Sequence, residues 1–476
     1  MHTNHKSLNM KKYLNSIKIL LLLLLVSASA FAQQEKPTVP DVFRHAVAAD
    51  TANIADIQWK DFFAEKDLDT LIETALAKNN DLEIAQKNLE IANLQFRQAK
   101  WGNVPQLNAF GNASTTRLSE NSLNGRNTQQ FTGQHHLDDF STGLNLSWEA
   151  DIWGKIRNRK RSARANYEQS AEIRKAVQTA LVANVSKGFY DLLMLDAQLQ
   201  VAKETLKLND STVFIVNLQY ESGQATQLAK QQTQAQRLVA AQLIPLLEQH
   251  IVLQENALSL LSGGFPDAKA RTSRLDAIEV KSDLSAGIPA QLLSKRPDVK
   301  AAELALQAAN ANVGIAKASL YPSINITASG GVNAFEADKL FNLPASLFGT
   351  VAGGIVAPLL NGKRLRTQYE VAKLQRDQAG IEFRQTVLVA VGEVANALAQ
   401  IEHQRLQFEA AAEREKTLRS AIDNASLLFK NGMANYLEVI IAQRNLLDAQ
   451  LELARIKKER LSSEVELYRA LGGGWQ

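Results

Sequence analysis

The 476-residue chain contains no cysteine and few aromatic residues. Without cysteine we expect no disulfide framework, no Cys-ligated zinc, no thiol nucleophile and no acyl anchor on an N-terminal cysteine. Aromatic residues make up 6% of the chain and apolar residues 45%. This mixture is typical of long packed helices rather than of a sandwich or a large α/β core. The sequence therefore favours one very elongated, mainly helical domain.

The chain also lacks a charge excess outside its first 32 residues. The formal net charge of +4 equals the four lysines of that segment, which has no acidic residue, so the remainder is neutral. A neutral chain is unsuited to neutralising phosphates, and we expect no nucleic-acid partner. No glycine-rich loop precedes a Lys-Ser/Thr pair, and the adjacent His135 and His136 are interpreted as part of a solvated loop. We therefore predict no metal, no cofactor and no enzymatic activity.

The first 32 residues have the three parts of a secretory signal peptide. Lys11, Lys12 and Lys18 precede an apolar run at residues 19–26, and Ala30-Phe31-Ala32 forms a small-x-small cleavage pattern. The apolar run is shorter than the ~20 residues of a membrane-spanning helix. We predict cleavage after Ala32, with a buried N-terminal helix as the alternative. The pattern is already complete from Met10, so translation could start at either methionine.

Much of the chain is an internal repeat, which has to be recognised before the architecture is predicted. Residues 80–105 recur at 297–322 with a constant offset of 217, and later elements recur with offsets of 208 and 209. The halves therefore differ by a shortened loop. Each half is predicted to contain a helix, two β-strands and two long helices. The predicted segments are 33–66 (N-terminal equatorial segment), 67–264 (first repeat, strands 105–117 and 139–150), 265–285 (equatorial linker) and 286–473 (second repeat, strands 322–333 and 346–357).

Seven-residue spacing of apolar side chains indicates long coiled-coil helices. The positions are Val185, Leu192, Leu199, Leu206, Val213 and Tyr220, then Val239, Leu246, Leu253 and Leu260, and in the second half Ile440, Leu447, Ala454, Leu461 and Tyr468. A proline-free helix of ~65 residues is on the order of 100 Å long. Few globular cores could contain such a helix.

The four strand segments alternate apolar and polar residues with period two and have the length of tilted membrane-spanning strands. Four strands cannot close a barrel, and open sheet edges are not tolerated in lipid. If these strands lie in a membrane, several subunits must share one barrel. The alternative is a small soluble sheet that caps the coiled coil. Trp148, Trp153 and Tyr321 flank the strands on their helical side, where membrane-interface aromatics would lie.

One stretch carries a family resemblance. The sequence GIPAQLLSKRPDV at residues 287–299, followed by AKASLYPSI at 316–324, resembles the signature of the TolC-like outer membrane factors. It is most similar to the branch that serves resistance-nodulation-division efflux pumps. The resemblance covers essentially the whole mature chain, including the repeat.

This resemblance implies a homotrimer in the outer membrane, with twelve strands in one lipid-embedded barrel and twelve long helices in a periplasmic tunnel. The implied function is passive export of small molecules, such as drugs or toxic compounds. The duct would open when a periplasmic adaptor (membrane fusion) protein and an inner-membrane pump dock. Two alternatives are the outer-membrane duct of a type I protein secretion system and a soluble periplasmic coiled-coil adaptor.

In the family, the helix turns after a Tyr-x-x-Gly element form the periplasmic tip and gate. Here the resemblance places these turns at Gly223 and Gly432. Ile441 stands where the family usually has an acidic residue, so Glu438 is the nearest acid. The residues that the resemblance assigns to the gate are Glu438, Asn435, Tyr436 and Arg444. An ordinary exposed helical glutamate is the alternative interpretation of Glu438.

Overall fold

The computed structural model describes residues 40, 42–44, 54–281, 287 and 289–476. The predicted signal peptide 1–32 and its cleavage site after Ala32 lie outside the described residues. So does part of the equatorial segment 33–66 and the last part of the linker 265–285. Among the helices that are described, none has the length and apolarity needed to cross a membrane.

The described chain is mainly helical, as predicted, and the two halves repeat the same element order. The α-helices are α1 (Trp59–Phe63), α2 (Lys66–Lys78), α3 (Asn80–Lys100), α4 (Leu123–Thr132), α5 (Lys155–Glu221), α6 (Gln227–Leu261), α7 (Leu292–Lys295), α8 (Pro297–Ala318), α9 (Arg364–Lys430) and α10 (Tyr436–Ala470). Short 3-10 turns lie at Ile54–Asp56, Leu275–Ala277, Pro289–Gln291 and Ala337–Lys339. α5 and α9 have 67 residues each, and α6 and α10 have 35 each. At 1.5 Å per residue, α5 and α9 are each about 100 Å long.

The first helix of each half is interrupted where the sequence indicated a single helix. In the first half the break lies at Asn79, whose side chain donates to the carbonyl of Leu261 and accepts the N–H of Leu82. In the second half it lies at Arg296, because Pro297 begins α8 and has no N–H to continue the preceding turn. Both breaks therefore have a local physical cause.

The strands form one antiparallel sheet in the order β1-β2-β3-β4. Their bounds are β1 (Gln106–Arg117), β2 (His136–Ala150), β3 (Ser323–Ala334) and β4 (Leu347–Val356). Within the described residues, β1 and β4 are edge strands with one hydrogen-bonded neighbour each. β2 begins three residues before the predicted 139, two strand ends (117 and 150) match the prediction, and the others differ from it by one residue. The sheet therefore offers two free edges.

The connection between β1 and β2 contains helix α4, which the sequence analysis did not predict. Ser122 caps this helix by accepting the N–H of Gly125, and Gly133 ends it in a left-handed conformation with φ of 70°. The corresponding β3–β4 connection has only a 3-10 turn. α4 therefore accounts for much of the difference in length between the halves.

The core lies between the long helices. α5 packs on α6, α8 and α10, and α9 packs on α10 and α8. One buried cluster joins α5 and α6 and consists of Leu192, Leu195, Ala202, Leu247, Ile251 and Leu258. A second cluster near the helix turns joins both halves through Val216, Ala229, Ile422, Phe429, Val439 and Leu446. The two repeats are thus packed together along their length.

The predicted seam of α6 is not the stripe that a single chain buries. Val239, Leu246, Leu253 and Leu260 are 44–66% exposed, whereas Ala240, Leu247 and Leu258 are buried. α6 therefore carries two adjacent apolar stripes. One is buried inside the chain, and the other is uncovered.

Candidate functional site

The register of the sheet separates its two faces by polarity. Leu107 pairs with Leu146, Leu146 with Ala328, and Ala328 with Val351, so these four side chains form one row on one face. The rows on this face hold Leu107, Ala109, Gly111, Ala113, Phe140, Thr142, Leu144, Leu146, Trp148, Ala150, Ile324, Ile326, Ala328, Gly330, Val332, Ala334, Leu347, Gly349, Val351, Gly353 and Ile355. Thr142 is the one polar member of these rows, and its hydroxyl donates to the carbonyl of Phe110. Beyond Ala113 and Phe140 the same side of the sheet ends in the polar pairs Thr115–Asp138 and Arg117–His136. We call the surface formed by the apolar rows the apolar face.

The opposite surface, which we call the polar face, carries mainly hydroxyl and amide side chains. Its rows include Asn108, Asn112, Ser114, Ser141, Asn145, Ser147, Glu149, Ser323, Asn325, Thr327, Ser329, Asn333 and Thr350. A sheet with a broad apolar band on one face and a polar opposite face can separate lipid from water. This arrangement is the pattern of an outer-membrane strand segment.

The three aromatic residues that the sequence analysis singled out lie at the helical end of the sheet. The indole N–H of Trp148 donates to the carbonyl of Asn103, at 2.9 Å. The indole of Trp153 donates to the carbonyl of Pro322 at 2.8 Å and stacks on Tyr321 with ring centroids 4.7 Å apart. Trp148 belongs to the apolar face. Each indole thus has an apolar body and a satisfied polar tip, as interfacial aromatics do.

The two helix turns at Gly223 and Gly432 are built alike. Both glycines have positive φ, 73° and 71°. The N–H of Gln224 donates to the carbonyl of Gln219, and that of Met433 donates to Leu428. These are Schellman-type ends, which require a residue that tolerates the left-handed conformation. In each repeat the same type of tight turn therefore connects the two helices of the hairpin.

The four residues that the resemblance assigned to a gate lie at or just after the second turn. Asn435 caps α10 by accepting the N–H groups of Leu437 and Glu438. The hydroxyl of Tyr436 donates to the side-chain oxygen of Gln232 on α6, at 2.6 Å. Glu438 and Arg444 are exposed, as is Ile441. The structure thus gives Asn435 and Tyr436 contacts and leaves Glu438 and Arg444 facing outward from their own chain.

Sequence reasoning missed a buried polar layer between the two hairpins. The amide of Gln443 donates to the hydroxyl of Thr212 at 2.9 Å, and both residues are buried. Nearby, Asn209 donates to the carbonyl of Gln236. The side-chain oxygens of Gln443 and Asn209 are buried without a hydrogen-bond partner. Amides at apolar seam positions were the only sequence signal for this layer.

The linker after α6 packs against the helices through residues 272–281, a segment that we call the equatorial strap. Asp67 accepts the backbone N–H groups of Thr272 and Ser273, which hold the pKa of its carboxyl below the usual value. Further along, the backbone N–H of Lys281 donates to Glu464, which is only 5% exposed. Burial raises the pKa of Glu464 to about 7, against the opposing effect of the Lys281 N–H. The linker thus binds helices of both repeats.

The histidines and the basic run lie on the surface. His135, just before β2, contacts Glu120 at 3.2 Å, and His136, the first residue of β2, contacts Asp138 at 3.6 Å. Across the described residues, no group of three or more His, Asp or Glu side chains is arranged to hold a metal ion. Arg157, Arg159, Lys160 and Arg161 are exposed at the start of α5, just after the sheet. If a membrane surrounds the sheet, these residues lie at the level of its lipid headgroups.

Comparison with known proteins agrees with this geometry. The family model described as "Outer membrane efflux protein" matches residues 71–264 and 288–473, one segment in each repeat. The cation efflux system protein CusC of Escherichia coli O6:H1 is 31% identical over 461 residues, 95% of this chain and 97% of the relative. The solvent efflux pump outer membrane protein SrpC of Pseudomonas putida is 31% identical over 418 residues, 87% of each chain.

A solved structure shows the same fold. A crystal structure of CusC superposes with a TM-score of 0.81 at 29% identity, covering 93% of this chain and all of the other. The chain therefore belongs to the outer membrane efflux protein family, and it is an outer-membrane channel protein of an efflux system.

Proposed function

We propose that the protein is a homotrimeric exit duct, in which each chain supplies four strands to one shared barrel and its long helices to one periplasmic tunnel. The observation that carries this proposal is the sheet: two unpaired edges combined with one continuous apolar face. In lipid, an unpaired edge leaves backbone N–H and C=O groups unsatisfied, at a cost of several kcal/mol each. Pairing β4 of one copy with β1 of the next removes every edge when the ring closes.

Uncovered apolar stripes on the helices support the same assembly. On α9, Leu374, Ile381 and Leu388 recur every seven residues and are 60–68% exposed. On α6, the stripe from Val239 to Leu260 is exposed as described above. Such seven-residue stripes are coiled-coil seams, and they need a partner helix. Neighbouring copies of the chain, held in place by the shared barrel, provide these partner helices.

The gate proposal concerns the two helix turns. In a closed ring of three chains, Glu438 near the second turn would supply three carboxylates around the axis. The Tyr436–Gln232 bond and the polar layer at Gln443 tie the two hairpins of one chain together. Docking of a periplasmic adaptor and an inner-membrane pump would part the hairpins, and a pump would supply the energy. The duct itself would then be passive.

The exported compounds are proposed to be small molecules. Relatives at about 30% identity are named for cation efflux and for solvent efflux. These names favour small-molecule export over protein secretion. The family match over both repeats likewise favours a duct over a soluble adaptor.

The experiment that tests the assembly is cell fractionation followed by light-scattering mass measurement of the detergent-solubilised protein. We expect recovery from the outer membrane as a particle of three chains, with the detergent mass subtracted. A Val351→Pro variant should lose trimers, because the register turns the N–H of Val351 away from β3 and proline cannot donate to a neighbouring strand at this edge. A soluble periplasmic monomer or dimer would overturn the proposal.

A further inference from the structure

The two edge strands each contain one side chain that is not fully exposed. In β1 it is Phe110, and in β4 it is Phe348. Their ring centroids are 6.5 Å apart, with the ring planes inclined at 53°. Strands β1 and β4 are separated by β2 and β3, which corresponds to about 14 Å between their backbones at the usual strand spacing. The two rings therefore lean toward each other across the width of the sheet.

The register explains how the rings can approach. Phe110 is opposite Gly143, Gly143 is opposite Gly331, and Gly331 is opposite Phe348. The four residues form one cross-strand row, Phe-Gly-Gly-Phe, with no side chain between the rings. We call it the phenyl row. Its floor is bare backbone.

The glycines of the phenyl row cannot be replaced without moving the backbone. A Cβ atom at Gly143 would lie 2.4 Å from the carbonyl oxygen of Gly330, and one at Gly331 would lie 2.1 Å from that of Thr142. Real Cβ contacts are not this short. Strands β2 and β3 therefore leave no room for a side chain at either position, and the row between the two rings stays free of side chains.

The phenyl row lies on the polar face. The rows to either side of it hold Asn108, Asn112, Ser141, Asn145, Ser329, Asn333 and Thr350. Lipid contact and helix packing use other surfaces, so neither requires phenyl rings here. An aromatic pair in otherwise polar, water-facing surroundings is an apolar patch of the kind that marks a binding site.

We propose that the phenyl row is a binding site for aryl-bearing lipophilic compounds inside the duct. The proposal rests on the shared barrel, in which the polar face lines the lumen and three phenyl rows place six rings at one level. Phenyl faces and edges bind other aryl groups and attract organic cations. The site is an open platform rather than an enclosed pocket. Weak binding at several equivalent sites lets cargo enter and leave, as conduction requires.

The absence of cysteine allows a direct test in intact cells. An Asn112→Cys variant places one thiol on the polar face, two residues from Phe110. The measured quantity is its rate of modification by a charged, membrane-impermeant thiosulfonate, with and without tetraphenylphosphonium. We expect tetraphenylphosphonium to slow the modification about three- to tenfold, the range expected for aromatic contacts. Tetramethylammonium has the same charge without aryl groups, so it makes only the cation contact with the ring faces and should slow the modification much less.

The phenyl row is then removed in the same background. With Phe110→Ala and Phe348→Ala, protection by tetraphenylphosphonium should disappear, whereas Leu107→Ala on the apolar face should preserve it. Equal protection with and without the rings, equal protection by tetramethylammonium, or no protection at all would each overturn the site. If the double variant does not reach the outer membrane, Phe348→Ala alone makes the same test.

A second thiol separates this proposal from the proposed function. Ala109→Cys lies three residues before Asn112 in the chain but within the apolar face, opposite Leu144, where lipid should shield it from the charged reagent. If the Ala109→Cys and Asn112→Cys thiols react equally fast, the sheet does not divide lipid from water and the shared barrel fails. If only the Asn112→Cys thiol reacts, the barrel stands and the protection experiment decides on the phenyl row.

Discussion

The hydroxyl of Tyr436, in the first turn of α10, donates a 2.6 Å hydrogen bond to the side-chain oxygen of Gln232 on α6. This bond joins the two helical hairpins close to their turns. Tyr436→Phe removes the hydroxyl and keeps the ring. A neutral hydrogen bond contributes about 0.5–1.5 kcal/mol, so we expect the open fraction of the tip to rise about two- to tenfold. The measurement is single-channel recording of the trimer in planar bilayers.

The matched control is Tyr220→Phe, which removes a hydroxyl at the other turn, from a ring that lies against Lys230. It should leave the open fraction unchanged. Equal opening of both variants would show that the Tyr436–Gln232 bond does not restrain the tip.

A charge on the apolar face should weaken the membrane-embedded assembly according to depth. Val351 lies midway along β4 and is 81% exposed in the single chain. If Val351 lies near the bilayer midplane, Val351→Lys should lower the free energy of unfolding of the trimer by about 2–4 kcal/mol. Ile326→Lys, beside Trp148 at the helical end, should cost less because the ammonium can reach the interface. The readout is the denaturant midpoint of the reconstituted trimer.

Thr350→Lys is the control for these substitutions, since it adds the same charge one residue away on the polar face. We expect nearly unchanged stability for it. A loss as large as that of Val351→Lys would contradict the assignment of the apolar face to lipid.

Local sequence patterns predicted the strands and the long helices, because in these elements the alternation of buried and exposed side chains repeats regularly along the chain. Period-two alternation located the ends of the four strands to within three residues, because each strand has one apolar and one polar face. The seven-residue pattern predicted long helices correctly, but on α6 it selected the stripe that a single chain leaves exposed. Ala240 and Leu246 both lie on apolar stripes of that helix, and periodicity alone cannot decide which stripe the chain buries.

Elements that depend on distant contacts escaped prediction. Helix α4 has no buried apolar stripe, and its Phe131 is 85% exposed, so only the Ser122 cap and Gly133 mark it. The partner of Tyr436 is 204 positions away in sequence. The phenyl row requires the register of three strand pairs. These features depend on how the two repeats pack together, and a single sequence carries no local pattern from which that packing can be predicted.

The carboxylate of Glu438 should influence ion selectivity if the second turn lines the tip. Rings of acidic side chains at a constriction favour cations over anions. Glu438→Gln should therefore lower the cation preference, and Ile441→Asp should raise it. The measurement is the reversal potential of the reconstituted trimer in a salt gradient. Glu413→Gln, which changes an exposed carboxylate far from the turn, should have no effect; a shift equal to that of Glu438→Gln would place the constriction elsewhere.

Glu464 should make the stability of the equatorial strap depend on pH. Burial raises its folded-state pKa to about 7, above the ordinary value of 4.5, so the folded protein holds a proton that the unfolded chain releases between these values. Its contribution to stability is therefore fully present below pH 4.5 and is lost as the pH rises to about 7. Glu464→Gln keeps an oxygen for the Lys281 N–H and has no charge to bury. At pH 8 we expect the variant to be more stable than the wild type by up to about 3 kcal/mol, and at pH 4 by little.

Thermal unfolding of the purified trimer at both pH values measures the difference. Glu452→Gln on the same helix is the control, because its pKa is lowered by Arg455 and its removal should not stabilise the protein at pH 8. Equal stability of Glu464→Gln and wild type at pH 8 would mean that the carboxylate is solvated in the assembled protein.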